Sequence, residues 1–260
     1  METEILIKII LIAFSGALIT LDRTAAGQFM ISRPIVASFL IGMLFGHLLP
    51  ALAAGALIEL VWINRLSIGT NVPPNETIAA VLASGGVALF AESVHDKKIL
   101  ISVIFVFSLA AGVIARYFSM LISRINGRIA VAADKKLKAE PEAGIGRYIL
   151  LGLVNFFSVY FIFLLVFLTA EYLFCGYIFS GPALRISKGL AIAYGIIPFV
   201  GVAAANELFM KRYYMSYFFT GFLLAFLVYF ILKMPALPFI ALFVLFGMLL
   251  SFLSLDRKAV

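Results

Sequence analysis

The sequence predicts an all-α polytopic membrane protein, in which several transmembrane helices accompany short broken or re-entrant hairpin segments around residues 34–91. Of its 260 residues, 64% are hydrophobic and 13% are charged, whereas soluble domains contain about 45–50% apolar and about 25% charged residues. A soluble core cannot absorb so much apolar surface, which includes 26 Phe and 10 Tyr. Long apolar runs also recur along the chain. We therefore expect one transmembrane domain over residues 1–260.

The first part of the chain contains one plausible span, followed by segments too short to cross a bilayer. Residues 5–21 are apolar apart from one lysine, and a spanning helix needs about 20 such residues. Residues 34–63 are too many for one span and too few for two, and Pro50 predicts a helix break near their centre. Residues 77–91 are apolar but short. We interpret 34–91 as a hairpin or broken helix, which membranes tolerate where protein covers it.

The second part of the chain has the pattern of a conventional membrane bundle. Five apolar runs are candidate spans: 99–117, 148–172, 190–205, 217–232 and 237–255. Between the first two of them, residues 124–147 form the longest hydrophilic stretch, and residues 125–138 favour an amphipathic surface helix. Basic residues outnumber acidic ones there, and such loops are enriched in the cytoplasm. We predict a cytoplasmic loop at 124–147.

Charge and reactive residues exclude several classes of function. The net charge is +7, but few charges form a patch, so we expect them to orient the chain in the bilayer rather than bind nucleic acid. Cys175 lies in an apolar run and is expected to pack as a small hydrophobe. No Walker motif, Ser-His-Asp set or HExxH motif occurs. We expect no catalytic residue, no metal and no cofactor.

Glu59 is the clearest candidate for a functional residue, because ionisable groups at membrane depth are costly. It interrupts an apolar run. It either lies near a helix end, facing water or pairing with Arg65, or it faces a polar cavity where the backbone breaks at residues 64–76. Broken backbone offers unpaired N–H and C=O groups that bind small polar ligands in carriers. A carboxylate beside asparagines suits a sugar, because it accepts hydrogen bonds from hydroxyl pairs while amides both donate and accept.

The segment 71–75 supports the second interpretation of Glu59. It reads Asn-Val-Pro-Pro-Asn, and its two prolines forbid regular helix and stiffen the loop. An ordinary exposed turn is the alternative, but short apolar arms flank the segment on both sides. The polar connection ahead of the broken region contains Gln28, and it either lines the site or caps Pro34 at a first helical position.

Weaker features are expected to be structural. Residues 42–46 form a GxxxG pattern, which favours close helix packing. Glu171, next to Tyr172, is expected at the membrane interface.

Residues 33–75 also carry a specific pattern of small, acidic and proline residues. It consists of Arg33-Pro34-Ile35-Val36-Ala37, Gly42, Gly46, Gly55-Ala56-Leu57-Ile58-Glu59-Leu60, Ile68-Gly69 and Pro74-Asn75. This pattern resembles the enzyme IIC subunit of the mannose–fructose–sorbose class of bacterial sugar phosphotransferase systems, and the spacing from Glu59 to Pro74 agrees without gaps. Asn75 replaces the aspartate usual in mannose members and removes a charge, which leaves the identity of the sugar open.

The resemblance implies a transport function. Such a subunit carries a hexose or amino sugar inward together with a IID membrane subunit. A IIB subunit then phosphorylates the sugar with phosphate that passes from phosphoenolpyruvate (PEP) through IIA. The IIC chain holds no phosphorylation site, so it is a permease subunit and not an enzyme by itself. The resemblance further implies a multi-pass protein of the bacterial cytoplasmic (inner) membrane, an elevator-like motion of the broken region, and homo-oligomers of IIC–IID units.

The resemblance also implies the site. Glu59 and the 64–75 loop would contact sugar hydroxyls, and we expect the contacts to come from Glu59, Asn64, Ser67, Asn71, Asn75 and Gln28. Two other functions are weighed against this one. A stand-alone proton-coupled secondary transporter of a small polar solute would use Glu59 as its proton carrier, and a membrane scaffold would not transport at all. An internal repeat would favour the transporter, and the sequence shows no convincing one.

Overall fold

The computed structural model describes residues 2–63, 72–140 and 144–179 continuously, and residues 189, 192, 194–201, 203, 221 and 223 individually. The continuous ranges contain helices and no strand. The helices are α1 (Glu2–Leu21), α2 (Pro34–Leu44), α3 (Leu48–Trp62), α4 (Glu76–Phe90), α5 (Lys97–Ala139) and α6 (Gly146–Phe179). The chain divides into two compact units, Met1–Ala205 and Asn206–Val260, and all six helices belong to the first.

Three of these helices are long and apolar enough to cross a membrane: α1, α5 and α6. The other three, α2, α3 and α4, are apolar but shorter than a span. This division confirms the predicted fold class of transmembrane helices with short broken segments at 34–91. The predicted spans at 190–205, 217–232 and 237–255 lie largely outside the described residues.

The sequence predicts a helix break at Pro50. The break between α2 and α3 lies instead at Gly46. Gly46 has a φ of +80°, which is left-handed backbone that glycine adopts without a steric penalty. Pro50 instead occupies the first turn of α3, where a backbone N–H has no intrahelical partner to lose. Helices α2 and α3 then pack closely at Gly55. A side chain larger than hydrogen does not fit there, since a Cβ on Gly55 would collide with Ser38 Oγ.

Helix α4 forms the centre of the described bundle. Every residue of α4 except Glu76 and Leu89 is buried, and the helix contacts each of the other five. An apolar helix of 15 residues is about 22 Å long, so it cannot span a hydrocarbon core of about 30 Å. Its burial resolves this problem, since neighbouring helices and not lipid cover it.

Helix α5 continues well past its membrane-spanning part. The predicted helix at 125–138 exists, but it is the uninterrupted end of α5 and not a separate surface helix after a loop. Two ion pairs between residues four apart, Lys136–Glu140 and Lys138–Asp134, line this exposed end. Asp96 begins the helix by accepting hydrogen bonds from the amides of Lys98 and Ile99.

Glu171 on α6, which the sequence analysis expects at the membrane interface, faces the interior of the helix bundle. It is fully buried against α4, where a Cβ on Gly86 would lie 2.7 Å from Glu171 Oε1. The side chain of Ser108 on α5 interacts with Glu171, although within the described residues neither the Ser108 hydroxyl nor either carboxyl oxygen of Glu171 meets the geometry of a hydrogen bond. Glu171 is therefore a polar group in the contact between helices, and its depth in the membrane stays a prediction.

Candidate functional site

Polar side chains from three separate segments meet where the short helices begin and end. The segments are the connection between α1 and α2, the last turn of α3, and the start of α4. We call this cluster the polar junction; its members are Asp22, Arg23, Arg33, Glu59, Asn75 and Thr77. The hydroxyl of Thr77 donates a hydrogen bond to the carbonyl of Ser32 over 2.8 Å and so joins the start of α4 to the first segment.

Glu59 connects the end of α3 to the start of α2. Its Oε2 accepts a hydrogen bond of 3.1 Å from the backbone N–H of Ile35, and its Oε1 lies 3.6 Å from Arg33 Nη1. Arg33 precedes α2 and supplies no side-chain cap itself. A carboxylate at a helix N-terminus satisfies an orphan donor and complements the helix dipole. The Glu59 side chain remains 18% exposed, so it is held in place and reachable.

Asn75 is the N-cap of α4 and is almost fully buried. Its Oδ1 accepts hydrogen bonds from the Ile78 amide and from Arg23 Nη1, both over 3.2 Å. Its Nδ2 donates to Ser119 Oγ over 3.5 Å, and its backbone N–H donates to the Gly112 carbonyl over 2.9 Å. The amide thus fixes the start of α4 against α1 and α5.

Gln28 lies in the same connection as Arg23 and Arg33. It is exposed and has a φ of +58°, which is uncommon outside glycine. The remaining predicted contacts, Asn64, Ser67 and Asn71, lie outside the described residues. The structure therefore brings Glu59 and Asn75 into the cluster and places Gln28 on the loop that belongs to it.

Asp22 organises that loop, and the sequence analysis assigned it no such role. Its Oδ1 accepts the Phe29 amide over 2.7 Å and its Oδ2 accepts the Ser32 amide over 3.0 Å. Burial favours the neutral acid, but these backbone hydrogen bonds outweigh it, so the pKa of Asp22 lies below its ordinary value. The only signal in the sequence was an acidic residue directly after an apolar run.

Comparison with known proteins identifies the family of this chain. Residues 6–251 match the family described as the PTS system sorbose-specific IIC component. The chain belongs to this family. It is a sugar-translocating IIC subunit of a phosphotransferase system, in the mannose–fructose–sorbose class that the pattern at 33–75 resembles, and it is a multi-pass protein of the inner membrane.

Individual relatives agree with that assignment. The chain is 28% identical over 226 residues to the fructose permease IIC component of Bacillus subtilis, covering 85% of this chain and 78% of that protein. It is 27% identical over 201 residues to the sorbose-specific EIIC component of Klebsiella pneumoniae, covering 75% and 71%. A solved structure described as a membrane protein has the same fold, with a TM-score of 0.70, 18% identity, and coverage of 98% of this chain and 96% of that chain.

The family assignment bears on the alternatives as well. A IIC subunit is a membrane transport component that works with other proteins of its phosphotransferase system. The stand-alone secondary transporter is therefore not favoured.

Proposed function

We propose that the polar junction binds the transported sugar and that Glu59 is its principal polar contact. An ionised carboxylate offers about four lone-pair sites, and the described neighbours of Glu59 use one on each oxygen. The remaining sites suit two adjacent sugar hydroxyls. The observation that carries this proposal is a partly exposed carboxylate fixed at the junction of two helices too short to span the membrane.

The fixed geometry of Glu59 supports binding. The Ile35 amide and the Arg33 guanidinium hold the two carboxylate oxygens from different directions. A site whose contacts are already oriented loses less entropy when the ligand binds. Arg33 is 43% exposed, so its remaining N–H groups can also reach a ligand oxygen.

The other predicted contacts complete the proposed site. Gln28 would approach the sugar from the loop after α1, and Asn64, Ser67 and Asn71 from the segment that connects Glu59 to the start of α4. Asn75 already donates and accepts several hydrogen bonds, so its contribution would be to hold the start of α4 beside the ligand. The substrate would be a hexose or an amino sugar, because both present paired hydroxyls to these groups.

The proposal includes the partners of this subunit. A IID membrane subunit would complete the translocation unit, and such units would form homo-oligomers. IIA would pass phosphate to IIB, and IIB would phosphorylate the sugar on the cytoplasmic side, so that this chain carries no phosphorylation site of its own.

The test measures PEP-driven sugar phosphorylation in membranes that contain this chain, a candidate IID and soluble IIA and IIB. A panel of hexoses and amino sugars identifies the substrate. Glu59→Gln keeps the side-chain size but removes the charge and exchanges one acceptor for a donor. Because hydrogen bonds to charged groups contribute about 1.5–3 kcal/mol, we expect the apparent affinity for the sugar to fall by about 10- to 100-fold.

Glu92→Gln is the matched control, since Glu92 is 82% exposed and lies 3.9 Å from His47 in a solvent-facing pair. Membranes with Glu92→Gln should support sugar phosphorylation by IIB as membranes with the wild type do. Equal activity of Glu59→Gln and Glu92→Gln, in protein of wild-type thermal stability, would remove Glu59 from the site. Uptake that followed a proton gradient without PEP would overturn the proposed coupling to IIA and IIB.

A further inference from the structure

A cavity lies beside the polar junction and shares Arg23 with it. It is bounded by the end of α1, the segment before α4, and helices α5 and α6. Its volume is about 340 Å³, at the lower end of the range for small-ligand sites, about 300–1,000 Å³. Its polar and charged walls come mainly from Arg23, Ser119, Ser123, Arg124 and Tyr160, while Val72, Pro73 and Phe156 contribute apolar surface. We call it the arginine pocket.

Among the described residues, neither arginine of the pocket forms an ion pair with a carboxylate. Arg23 donates to two neutral acceptors, from Nη1 to Asn75 Oδ1 over 3.2 Å and from Nη2 to the Pro74 carbonyl over 3.4 Å. A guanidinium has five N–H donors, so three of those on Arg23 remain. Glu76 interacts with Arg23 electrostatically, but within the described residues neither Glu76 nor any other carboxylate forms an ion pair with Arg23 or Arg124.

Hydrogen bonds hold the polar wall between the arginines in place. The hydroxyls of Ser119 and Tyr160 are 3.0 Å apart, and Ser123 donates to the Ser119 carbonyl over 3.0 Å. Tyr160 is buried, so this wall belongs to the interface of α5 and α6. The described part of the pocket therefore combines two guanidinium groups that form no ion pair with hydroxyl groups of fixed position.

We propose that the arginine pocket binds a phosphoryl anion. The planar guanidinium fork matches phosphate oxygens bidentately, and such charge-assisted hydrogen bonds are about twice as strong as neutral ones. The hydroxyls of Ser119, Ser123 and Tyr160 donate within the wall, so one of them would have to turn from its present acceptor to donate to a remaining oxygen. A neutral sugar would leave both arginine charges uncompensated, so the pocket differs in chemistry from the site around Glu59.

Two sources can supply this anion. One is a sugar phosphate formed on the cytoplasmic face, where the basic residues of 124–147 place this end of α5; that reading rests on the proposed function. The other is the headgroup of an anionic phospholipid, which basic pockets between transmembrane helices bind. In both cases Arg23 connects the anion to Asn75 and hence to the first turn of α4.

The experiment measures thermal unfolding of the purified full chain in phosphatidylcholine nanodiscs. Inorganic phosphate, mannose 6-phosphate and fructose 6-phosphate are titrated, with chloride at equal ionic strength as the reference. A ligand that binds the folded state raises its unfolding temperature. Arg124→Gln is the test variant, because Arg124 is exposed and makes no hydrogen bond or ion pair with the described residues.

Arg128→Gln is the matched control, since it removes the same charge one turn further along α5 from an exposed position outside the pocket. We expect the phosphate compounds to stabilise the wild type and Arg128→Gln alike, and Arg124→Gln to need at least about ten-fold more ligand for the same shift.

A second set of nanodiscs contains phosphatidylglycerol. The lipid headgroup is identified as the ligand by two results together. Phosphatidylglycerol stabilises the protein only when Arg124 is present, and in its presence the phosphate compounds no longer raise the unfolding temperature.

An undiminished phosphate response in phosphatidylglycerol identifies a soluble phosphate compound instead. Two outcomes would overturn the proposal. Either no phosphate compound or lipid stabilises the wild type, or stabilisation is equal in Arg124→Gln and Arg128→Gln. Sugar binding measured on the same protein separates this failure from a failure of the proposed function. Retained sugar binding that depends on Glu59, without any phosphate response, contradicts the arginine pocket alone.

Discussion

At the scale of single residues, Asp22 shows how one carboxylate determines the shape of the connection between α1 and α2. Its two oxygens accept two backbone amides of the connection between α1 and α2. That connection contains two non-glycine residues with positive φ, Gln28 and Met30, and such conformations carry a cost that the surrounding structure must offset. The charged hydrogen bonds to Asp22 provide the compensation, and they fix the loop that contains Gln28 and leads to Arg33, the partner of Glu59.

Replacing Asp22 by Asn should therefore destabilise the protein. The amide keeps one acceptor oxygen, but its NH₂ group faces a backbone N–H, and leaving a buried donor unsatisfied costs about 1–3 kcal/mol. Asp134→Asn, which removes the charge of an exposed pair with Lys138, should cost less than about 1 kcal/mol. Chemical denaturation or thermal unfolding in one detergent compares the two variants. Equal stability of both would show that Asp22 does not hold the loop.

The same carboxylate predicts a pH dependence with a definite sign. The pKa of Asp22 is lower in the folded protein than its ordinary value of 3.8, so its stabilisation is complete above that value. It is lost as the pH falls through the lower folded-state pKa. Consequently the stability difference between wild type and Asp22→Asn should shrink on acidification through this window.

The sequence located some of these residues but not their partners. Glu59 was identifiable because a carboxylate interrupts an apolar run. Its described partner is Arg33, 26 positions earlier, whereas Arg65, the partner considered from the sequence, lies outside the described residues. Hydropathy reports composition along the chain and contains no information on helix rotation, so it could not show that the side chain of Glu171 is buried. Its burial depends on Gly86, which lies on another helix and leaves room for it.

At the scale of elements, the division of residues 34–62 into two helices depends on backbone conformation at one glycine. The sequence predicted a break in this run but assigned it to Pro50. Proline disrupts a helix only where it removes an intrahelical hydrogen bond, and position 50 is in the first turn of α3. The break instead uses the left-handed φ of Gly46, which a pattern of hydrophobic residues does not reveal.

Alanine at two glycines should consequently have opposite effects. Gly46→Ala forces a Cβ into the left-handed region at a cost of about 1–2 kcal/mol, although no atom lies within 4 Å of that Cβ. Gly127→Ala, in the exposed interior of α5 and equally free of contacts, should stabilise the helix by about 0.5–1 kcal/mol. Unfolding temperatures of both variants provide the comparison. A stabilising Gly46→Ala would show that the break does not depend on positive φ.

At the scale of the whole molecule, the short central helix α4 becomes possible because the other helices enclose it. Helices α2, α3 and α4 cannot span the bilayer, and α4 is covered by the other five. This arrangement follows from the apolar composition of all six helices, so the sequence could predict the fold class. Which helix occupies the centre could not be predicted, because α4 differs from its neighbours chiefly in small residues that permit close approach.

The orientation of this bundle in the membrane is a further prediction. Helix α5 has 43 residues, or about 65 Å, and the hydrocarbon core is about 30 Å thick. Its two ends therefore lie on opposite sides of the membrane, and the basic excess at 124–147 places the C-terminal end in the cytoplasm. We expect His95, just before α5, to face outward and Lys135 to face inward.

Labelling of single cysteines tests this orientation. The native Cys175 is fully buried, so the wild type should react little with a membrane-impermeant maleimide. In right-side-out spheroplasts, His95→Cys should be labelled at once, whereas Lys135→Cys should be labelled only after the membrane is opened. Both side chains are exposed in the structure, so a difference in reaction reports sidedness and not burial. The reverse pattern would place the arginine pocket on the outer face, where no sugar phosphate forms, and would leave the lipid headgroup as its ligand.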